Sequence, residues 1–272
     1  MFLKIKKIRR NIKKKIPKSI RDYFFYIKHI PKRFKNYKII CKHLKNSKTL
    51  EVGGPSTLFF TKIPIYQKIK SLAVANFSND TVWEGKISEG FTCNHYGNNY
   101  AYQYISDAST LLNIKNDTYD AILSSHCLEH VANPLKALFR WSEVLVSDGK
   151  MLLILPHKIG NFDHKRSDTT IEHLITDYKR DIGEDDMTHY DEITKLHDLN
   201  MHPGIKINLD EHIRICKDNF KNRNMHHHIF SQKLIFKMLE FCNFEVINYS
   251  ETNEDLITLC QKKILTKNIN NT

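Results

Sequence analysis

The chain has 272 residues, 41% hydrophobic and 26% charged, which is enough apolar material for one sizeable globular domain but not comfortably for two. The mean hydropathy is −0.47 and no run of about 18 apolar residues occurs, so the composition argues against a membrane-spanning helix. The basic N-terminus lacks the apolar core and the small-residue cleavage site of a secretory signal, and we expect a cytoplasmic protein.

Positive charge is concentrated at the start of the chain. Residues 1–48 carry 18 Lys or Arg and one acid, Asp22, whereas the whole chain has a net charge of +12; the remaining residues are therefore net −5. Apolar residues at near-helical spacing before Pro17 predict a basic amphipathic helix. For residues 1–45 this pattern favours an anionic membrane surface, at the inner face of the membrane. A solubilising arm is the alternative, and nucleic acid is less favoured.

From Lys48 onward, strands alternate with helices, which predicts βαβ units and a mainly parallel sheet. Six residues separate the last two strands, so the last should run antiparallel to its partner. The expected fold is α/β, a Rossmann-like, doubly wound, seven-stranded and mostly parallel sheet in a domain spanning 48–265, preceded by a basic helical extension, 1–47. Strands are predicted at 49–52, 72–77, 104–106, 119–125, 150–155, 244–249 and 256–261, and helices at 134–146 and 231–242.

A long polar, histidine-rich stretch interrupts the domain at about 156–225. Insertions of this length in compact domains are usually functional or disordered. Because its pieces 169–181 and 187–200 have helical character, we interpret it as a lid or substrate-binding insertion.

Cysteine and histidine spacing does not predict a metal site. The six cysteines are widely scattered, without a C-x-x-C pair. His226, His227 and His228 are consecutive, and neighbours along a chain point in different directions. We therefore expect no metal at these residues and reduced, structural thiols.

The strand at 49–52 ends in a glycine turn, Gly53-Gly54-Pro55, where a ligand can approach the backbone. A G-x-G-x-x-G fingerprint is missing from this turn, which disfavours a nicotinamide dinucleotide. The string Leu50-Glu51-Val52-Gly53-Gly54-Pro55 resembles the first motif of class I S-adenosylmethionine-dependent methyltransferases.

Three further segments resemble the same family and occur in its order. They are Asp107-Ala108 after the third strand, the fourth strand with its following loop at 119–131, and the turn into the fifth strand at 143–150. The resemblance is to type 11-like methyltransferases, and it implies S-adenosylmethionine as cofactor. The cofactor-binding residues it implies are Glu51, Gly53, Gly54, Pro55, Asn76, Asp107, Ala108 and Ser124.

One position departs from the family pattern. The second strand usually ends in an acid that binds both ribose hydroxyls, and this chain has Asn76 there. Asparagine can still bind a hydroxyl, but without the charge-assisted strength of a carboxylate. Asp80 is a candidate replacement.

The methyl acceptor is predicted from the loop after the fourth strand, which lacks the Asn-Pro-Pro-Tyr type of sequence found in amino-directed nucleic-acid methyltransferases. Histidine is suited to removing a hydroxyl proton near neutral pH. The aromatic residues around Trp83 resemble those of methyltransferases encoded among bacterial surface-polysaccharide genes. We therefore expect O-methylation of a glycan or small-molecule hydroxyl; a non-catalytic binding module and an RNA-directed enzyme are the alternatives. Catalytic candidates are His126, His157 and His164, and substrate-binding candidates are Trp83, His130, Arg166 and His173.

Overall fold

The structure is a computed structural model that describes Ile20 and residues 33–96, 99–202 and 207–264. The amphipathic helix predicted before Pro17 lies outside the described residues. The same holds for most of the segment 1–45 for which a membrane contact is predicted.

An eight-stranded sheet forms the centre of the described part of the chain, in the order β5-β6-β2-β1-β7-β8-β10-β9. The five strands from β6 to β8 in this order are parallel, whereas β5 pairs antiparallel with β6, and β10 pairs antiparallel with both β8 and β9. A separate short hairpin is formed by β3 and β4. The strands are β1 (Lys48–Val52), β2 (Ser71–Asn76), β3 (Asp80–Thr81), β4 (Gly85–Lys86), β5 (Gly90–Tyr96), β6 (Asn99–Ile105), β7 (Tyr119–Ser125), β8 (Leu145–Pro156), β9 (Phe244–Glu251) and β10 (Asp255–Lys262).

The strand of the large sheet that sequence analysis misses is β5, so the predicted seven-stranded sheet is corrected to eight strands. This strand lies at the edge of the sheet, and Cys93 is its buried residue while Phe91 and Thr92 are exposed. An edge strand with so little burial has no run of apolar residues, and it therefore gives a weak sequence signal. The antiparallel direction of the last strand is confirmed.

Helices cover both faces of the sheet, as a doubly wound fold requires. Consecutive residues of β8 alternate between two apolar cores: Leu153 packs on one face with Trp141, and Leu152 packs on the other with Phe59. This explains why β8 is apolar without interruption from 151 to 155. The helices are α1 (Tyr37–Leu44), α2 (Leu58–Thr61), α3 (Pro134–Val144), α4 (Ile171–Lys179), α5 (Tyr190–Leu196), α6 (Leu209–Lys217), α7 (Asn219–Asn222) and α8 (Gln232–Phe241).

The C-terminal end of the predicted basic extension packs on the sheet. Ile40, Cys41 and Leu44 of α1 are buried in the same core as Phe59. In the part of the chain that the structure describes, no helix is both long and apolar enough to cross a membrane.

The 156–225 insertion contains α4 to α7, and the two predicted helical pieces are found as α4 and α5. Arg166 ties the insertion to the segment that precedes α8. Its side chain is 1% exposed and donates hydrogen bonds to the Asp163 carboxylate (3.1 Å) and to the backbone carbonyls of His226 (2.7 Å) and His227 (3.2 Å). A buried guanidinium with this many acceptors fixes the position of the segment it reaches.

Candidate active site

A cavity of about 980 Å³ lies at the carboxyl ends of β1, β2 and β7 and extends to the insertion. Ligands of open α/β sheets bind at this edge. Of the predicted site residues, its lining includes Gly53, Pro55, Asn76, Trp83, Asp107, Ala108, His126 and His130, and it does not include Glu51, Gly54, Ser124, His157, His164, Arg166 or His173.

The glycine turn after β1 packs too closely for side chains. Gly53 has φ +79°, and a Cβ there would lie 2.6 Å from Sγ of Cys127. A Cβ on Gly54 would overlap the carboxyl group of Glu51. The turn therefore presents bare backbone to the cavity, which suits a ligand such as S-adenosylmethionine that lies against the chain.

Glu51 holds the end of this turn through hydrogen bonds. Its carboxyl group is buried, accepting hydrogen bonds from the Tyr66 hydroxyl (2.7 Å) and the Ser56 amide (2.7 Å). Burial raises the pKa of Glu51 to about 8, although these two hydrogen bonds lower it. The direct cofactor contact predicted for Glu51 stays a prediction, since the structure places its carboxyl group against Tyr66.

Asn76 joins the end of β2 to the glycine turn. Its side-chain amide donates to the Gly54 carbonyl oxygen at 2.7 Å, and the residue is 8% exposed. A carboxylate could not donate this hydrogen bond. The departure from the family pattern therefore has a structural reason within the turn itself.

Replacing Asn76 by Asp should destabilise the protein, because a carboxylate oxygen would face the Gly54 carbonyl oxygen in a buried position. We expect the unfolding free energy, measured by urea denaturation, to fall by about 1–3 kcal/mol. Asn116→Asp is the matched control, since its exposed side-chain oxygen accepts from Arg140 and an acid retains that role. Equal stability of the two variants would contradict the function assigned to the Asn76 amide.

Asp107 holds the loop after β6 and contacts the end of the insertion. One carboxylate oxygen accepts from the amide (2.8 Å) and hydroxyl (2.7 Å) of Ser109, as in a turn cap. The other lies 3.3 Å from Nη2 of Arg223, whose Nη1 lies 2.5 Å from Glu184. The adenine contact predicted for Asp107 stays a prediction, and the residue lies on the cavity wall.

His126 follows β7 directly and lines the cavity in a left-handed backbone conformation, φ +50°. Such conformations are uncommon for residues other than Gly, although Asn, Asp and His adopt them more often than other residues do. Its Nε2 lies 2.8 Å from Oδ1 of Asp255, a residue that also pairs with Lys62 at 3.0 Å. Burial lowers the pKa of His126, but the hydrogen bond to Asp255 and the charges of Glu129 and Asp255 raise it above its ordinary value overall.

The cavity lining also holds a second polar group: Glu129, His130 and His226. Nδ1 of His130 lies 3.2 Å from the Met225 carbonyl oxygen, and Nδ1 of His226 lies 2.5 Å from Asp163. Glu129 is 1% exposed, and its two carboxylate oxygens have no hydrogen-bond partner among the described residues. Burial raises the pKa of Glu129. A buried carboxyl group without a partner marks a position where a polar ligand would be stabilised.

Acidification should destabilise the fold through His130. Burial and the neighbouring charge of His226 lower the pKa of His130 well below 6.5. Below about pH 6.5 the unfolded chain binds a proton that the folded chain does not, so stability is lost as the pH falls.

We expect His130 to contribute about 1 kcal/mol of lost stability between pH 6.5 and 5.5, with the slope approaching about 1.4 kcal/mol per pH unit at lower pH. In His130→Gln, whose amide can still donate to Met225, the dependence of the urea-derived unfolding free energy on pH should be shallower by that amount. An unchanged slope would contradict a neutral, buried His130.

The remaining predicted residues lie elsewhere. Ser124 is fully buried, and its hydroxyl has no hydrogen-bond partner in the described residues. Nδ1 of His157 lies 2.8 Å from the Thr252 carbonyl oxygen, and His164 pairs with Asp198 at 3.0 Å. His173 is on α4, away from the cavity lining. Their catalytic or binding roles stay predictions.

Polar cavity-lining residues that sequence analysis did not assign include Glu84, Asp163, Arg223 and His226. Glu84 follows Trp83 in the β3-β4 hairpin, and burial raises its pKa. The other three belong to the insertion or to the segment after it, which has no strand or helix periodicity that would place it at the sheet. Their positions follow from tertiary contacts such as those of Arg166.

Comparisons with known proteins agree with this geometry. Residues 75–153, less than a third of the chain, match the family described as a methyltransferase domain. No curated protein matches the chain.

Solved structures with a similar fold share little sequence with the chain. A putative methyltransferase from Bacillus halodurans is 11% identical with a TM-score of 0.48, covering 84% of this chain and 98% of its own. A S-adenosylmethionine-dependent methyltransferase from Methanosarcina mazei is 17% identical with a TM-score of 0.47, covering 82% and 96%. The 1,6-didemethyltoxoflavin-N1-methyltransferase of Burkholderia thailandensis, with S-adenosylhomocysteine bound, is 11% identical with a TM-score of 0.46, covering 84% and 76%. These likenesses are too distant to carry an argument about function.

The match over 75–153 supports a methyltransferase domain with S-adenosylmethionine as its cofactor. The bare glycine turn, the cavity at the carboxyl ends of the parallel strands and the polar residues Asn76 and Asp107 fit that cofactor.

Proposed function

We propose that the protein transfers a methyl group from S-adenosylmethionine to a hydroxyl group of a sugar, a glycan or a small polar molecule. The observation that carries this proposal is the pair His126–Asp255, with Nε2 and Oδ1 2.8 Å apart, on the cavity wall beside the glycine turn. Cys127, the neighbour of His126, is the residue against which Gly53 packs. The pair is thus close to the place where the cofactor would bind.

The chain's own residues would handle the proton of the acceptor. When bound, S-adenosylmethionine supplies an electrophilic methyl group. With Nε2 of His126 donating to Asp255, the lone pair lies on Nδ1, which takes the proton that the acceptor hydroxyl loses as its oxygen is methylated. Asp255 holds the ring and stabilises the charge that forms on it, because Asp255 is 1% exposed and Lys62 keeps it ionised.

The proposal of a sugar-like acceptor is supported by the mixture of aromatic and polar groups in the lining. Trp83 is 51% exposed and lies 5.2 Å from the ring of His130, centroid to centroid. An exposed indole can stack on a sugar ring, and Glu129 and His226 offer hydrogen-bonding groups beside it. The inner membrane face proposed for residues 1–45 would place such an enzyme near membrane-linked glycans.

The test is calorimetric titration of the full-length chain with S-adenosylhomocysteine. We expect binding by the wild type that weakens at least about tenfold in Asp107→Ala and less in Asp107→Asn, which keeps the shape of the side chain. Asp210→Ala, at an exposed position on α6, is the control. No binding by the wild type would overturn the proposal.

Acceptors are then screened with radiolabelled cofactor against sugars, glycan fractions and RNA. Transfer of label into an alkali-stable methyl ether in a sugar fraction supports the proposal. Methylation of RNA instead would favour an RNA-directed enzyme, and tight cofactor binding without transfer to any fraction would favour a non-catalytic binding module.

A further inference from the structure

A second cluster of metal-ligating side chains lies outside the cavity. His173 and Asp177 are on α4, His189 directly precedes α5, and His228 is in the segment between α7 and α8. One ligand atom from each of the four lies within 4.8 Å of the others. None of the four lines the cavity described above. The cluster therefore needs an explanation that is separate from methyl transfer.

The distances within the cluster match the edges of a metal coordination tetrahedron. Nε2 of His173 lies 3.1 Å from Oδ2 of Asp177 and 3.1 Å from Nε2 of His189, and a ring nitrogen of His228 lies within 4.8 Å of the other ligand atoms. Zinc bound to histidine nitrogen and carboxylate oxygen at about 2.0–2.2 Å requires ligand atoms about 3.3–3.6 Å apart. His173 thus already lies at nearly the spacing that zinc imposes from both Asp177 and His189, with His228 beside them.

Hydrogen bonds alone satisfy this cluster poorly. Nε2 of His173 faces a ring nitrogen and a carboxylate oxygen at the same distance, and a ring nitrogen carries at most one proton. His228 is 1% exposed, and its Nδ1 has no hydrogen-bond partner among the described residues. Its Nε2 lies 3.1 Å from the Ala132 carbonyl oxygen. One ring nitrogen held by a backbone carbonyl, with the other left for a ligand, is the usual arrangement of a metal-binding histidine.

We propose that His173, Asp177, His189 and His228 form a structural zinc site. Three imidazoles and one carboxylate suit zinc, and four protein ligands leave no open position for catalysis. The i, i+4 spacing of His173 and Asp177 places both on one face of α4. The remaining two ligands come from separate segments of the chain, so a bound ion cross-links them to the helix.

The ion would also steady the cavity wall. His228 is two residues from His226, which lines the cavity. His228 also contacts the carbonyl oxygen of Ala132, which lies in the segment after β7 that carries His126. Zinc at this site therefore connects the insertion to the loop that bears the proposed base. The consecutive residues His226, His227 and His228 do not act together: the first meets Asp163, the second Asn219, and the third the cluster. This is why their adjacency in the sequence did not reveal the site.

Metal analysis of the full-length chain, purified without chelators, tests the proposal. We expect about one zinc per chain, and loss of nearly all of it in His189→Ala. His164→Ala is the matched control, because His164 also pairs with one carboxylate in the insertion. His130→Ala probes the cavity group Glu129–His130–His226, which has ligand atoms of the same kind.

Zinc that is retained in His189→Ala but lost in His130→Ala would overturn the proposal, as would a wild-type chain that binds no added zinc after chelator treatment. The midpoint temperature of thermal unfolding should rise when zinc is restored to the chelator-treated wild type.

A second variant, His189→Cys, tests the proposal even if His189→Ala does not fold. Cysteine remains a metal ligand, so His189→Cys loaded with cobalt(II) should show thiolate-to-cobalt charge-transfer absorption in the near ultraviolet. His164→Cys loaded in the same way should not. If His189→Cys binds cobalt without that absorption, residue 189 is not a ligand and the proposal fails. These outcomes do not depend on cofactor binding or methyl transfer.

Discussion

Replacing His126 by Asn should lower kcat about 10²- to 10⁴-fold while changing the affinity for S-adenosylhomocysteine less than about threefold, because general-base assistance is lost and the cofactor contacts remain. Asparagine is chosen since residue 126 has φ +50°, a conformation that asparagine tolerates well. His43→Asn, at an exposed position on α1, is the control. A variant with wild-type kcat would rule out His126 as the base.

The pH profile separates a base from a merely structural residue. As the proposed base, His126 would act in its neutral form, so the rate should rise with pH through the pKa of His126, which the hydrogen bond and charge of Asp255 help to raise. Asp255→Asn should move this rising limb of the pH profile to lower pH and reduce kcat, because the His126 ring loses the partner that stabilises its charged form. In His126→Asn the limb should disappear. A limb that persists in the variant would belong to another group.

Where an apolar pattern is continuous, the sequence determines the fold closely. The run from Met151 to Leu155 predicts a strand buried on both faces, and the structure divides it between two cores. The glycine turn after β1 and the position of His126 after β7 follow from strand ends, which are short-range features. These parts of the site could be predicted because each is set by residues adjacent in the sequence.

The direction of the Glu51 side chain could be predicted from the strand that carries it. Leu50 and Val52 belong to the same core, so Glu51 between them must point to the other face of the sheet, where it meets Tyr66. The two-residue period of a strand contained this information, whereas the family resemblance suggested a cofactor contact. Asp163 and His226 could not be paired from sequence, since the 62 residues between them form several short helices and loops whose packing the sequence pattern does not specify.

Gly54→Ala is the second change for which we expect a large effect. An added Cβ would overlap the carboxyl group of Glu51, and this group cannot move easily because Tyr66 and Ser56 hold it in a buried position. We expect the unfolding free energy in urea to fall by about 1–3 kcal/mol, as in overpacked cores, and S-adenosylhomocysteine binding to be lost as the turn is displaced. Gly183→Ala is the control, since a Cβ there would meet only the side chain of Asp185.

The double variant identifies the cause of the Gly54→Ala defect. Glu51→Ala alone should destabilise the protein, because Tyr66 and the Ser56 amide lose their acceptor. It also removes the group that the new Cβ would strike. The two substitutions together should therefore cost less than the sum of their separate effects, a favourable coupling measurable by a double-mutant cycle. Strictly additive losses would mean that Gly54 is required for a reason other than contact with Glu51, such as direct contact of its backbone with the cofactor.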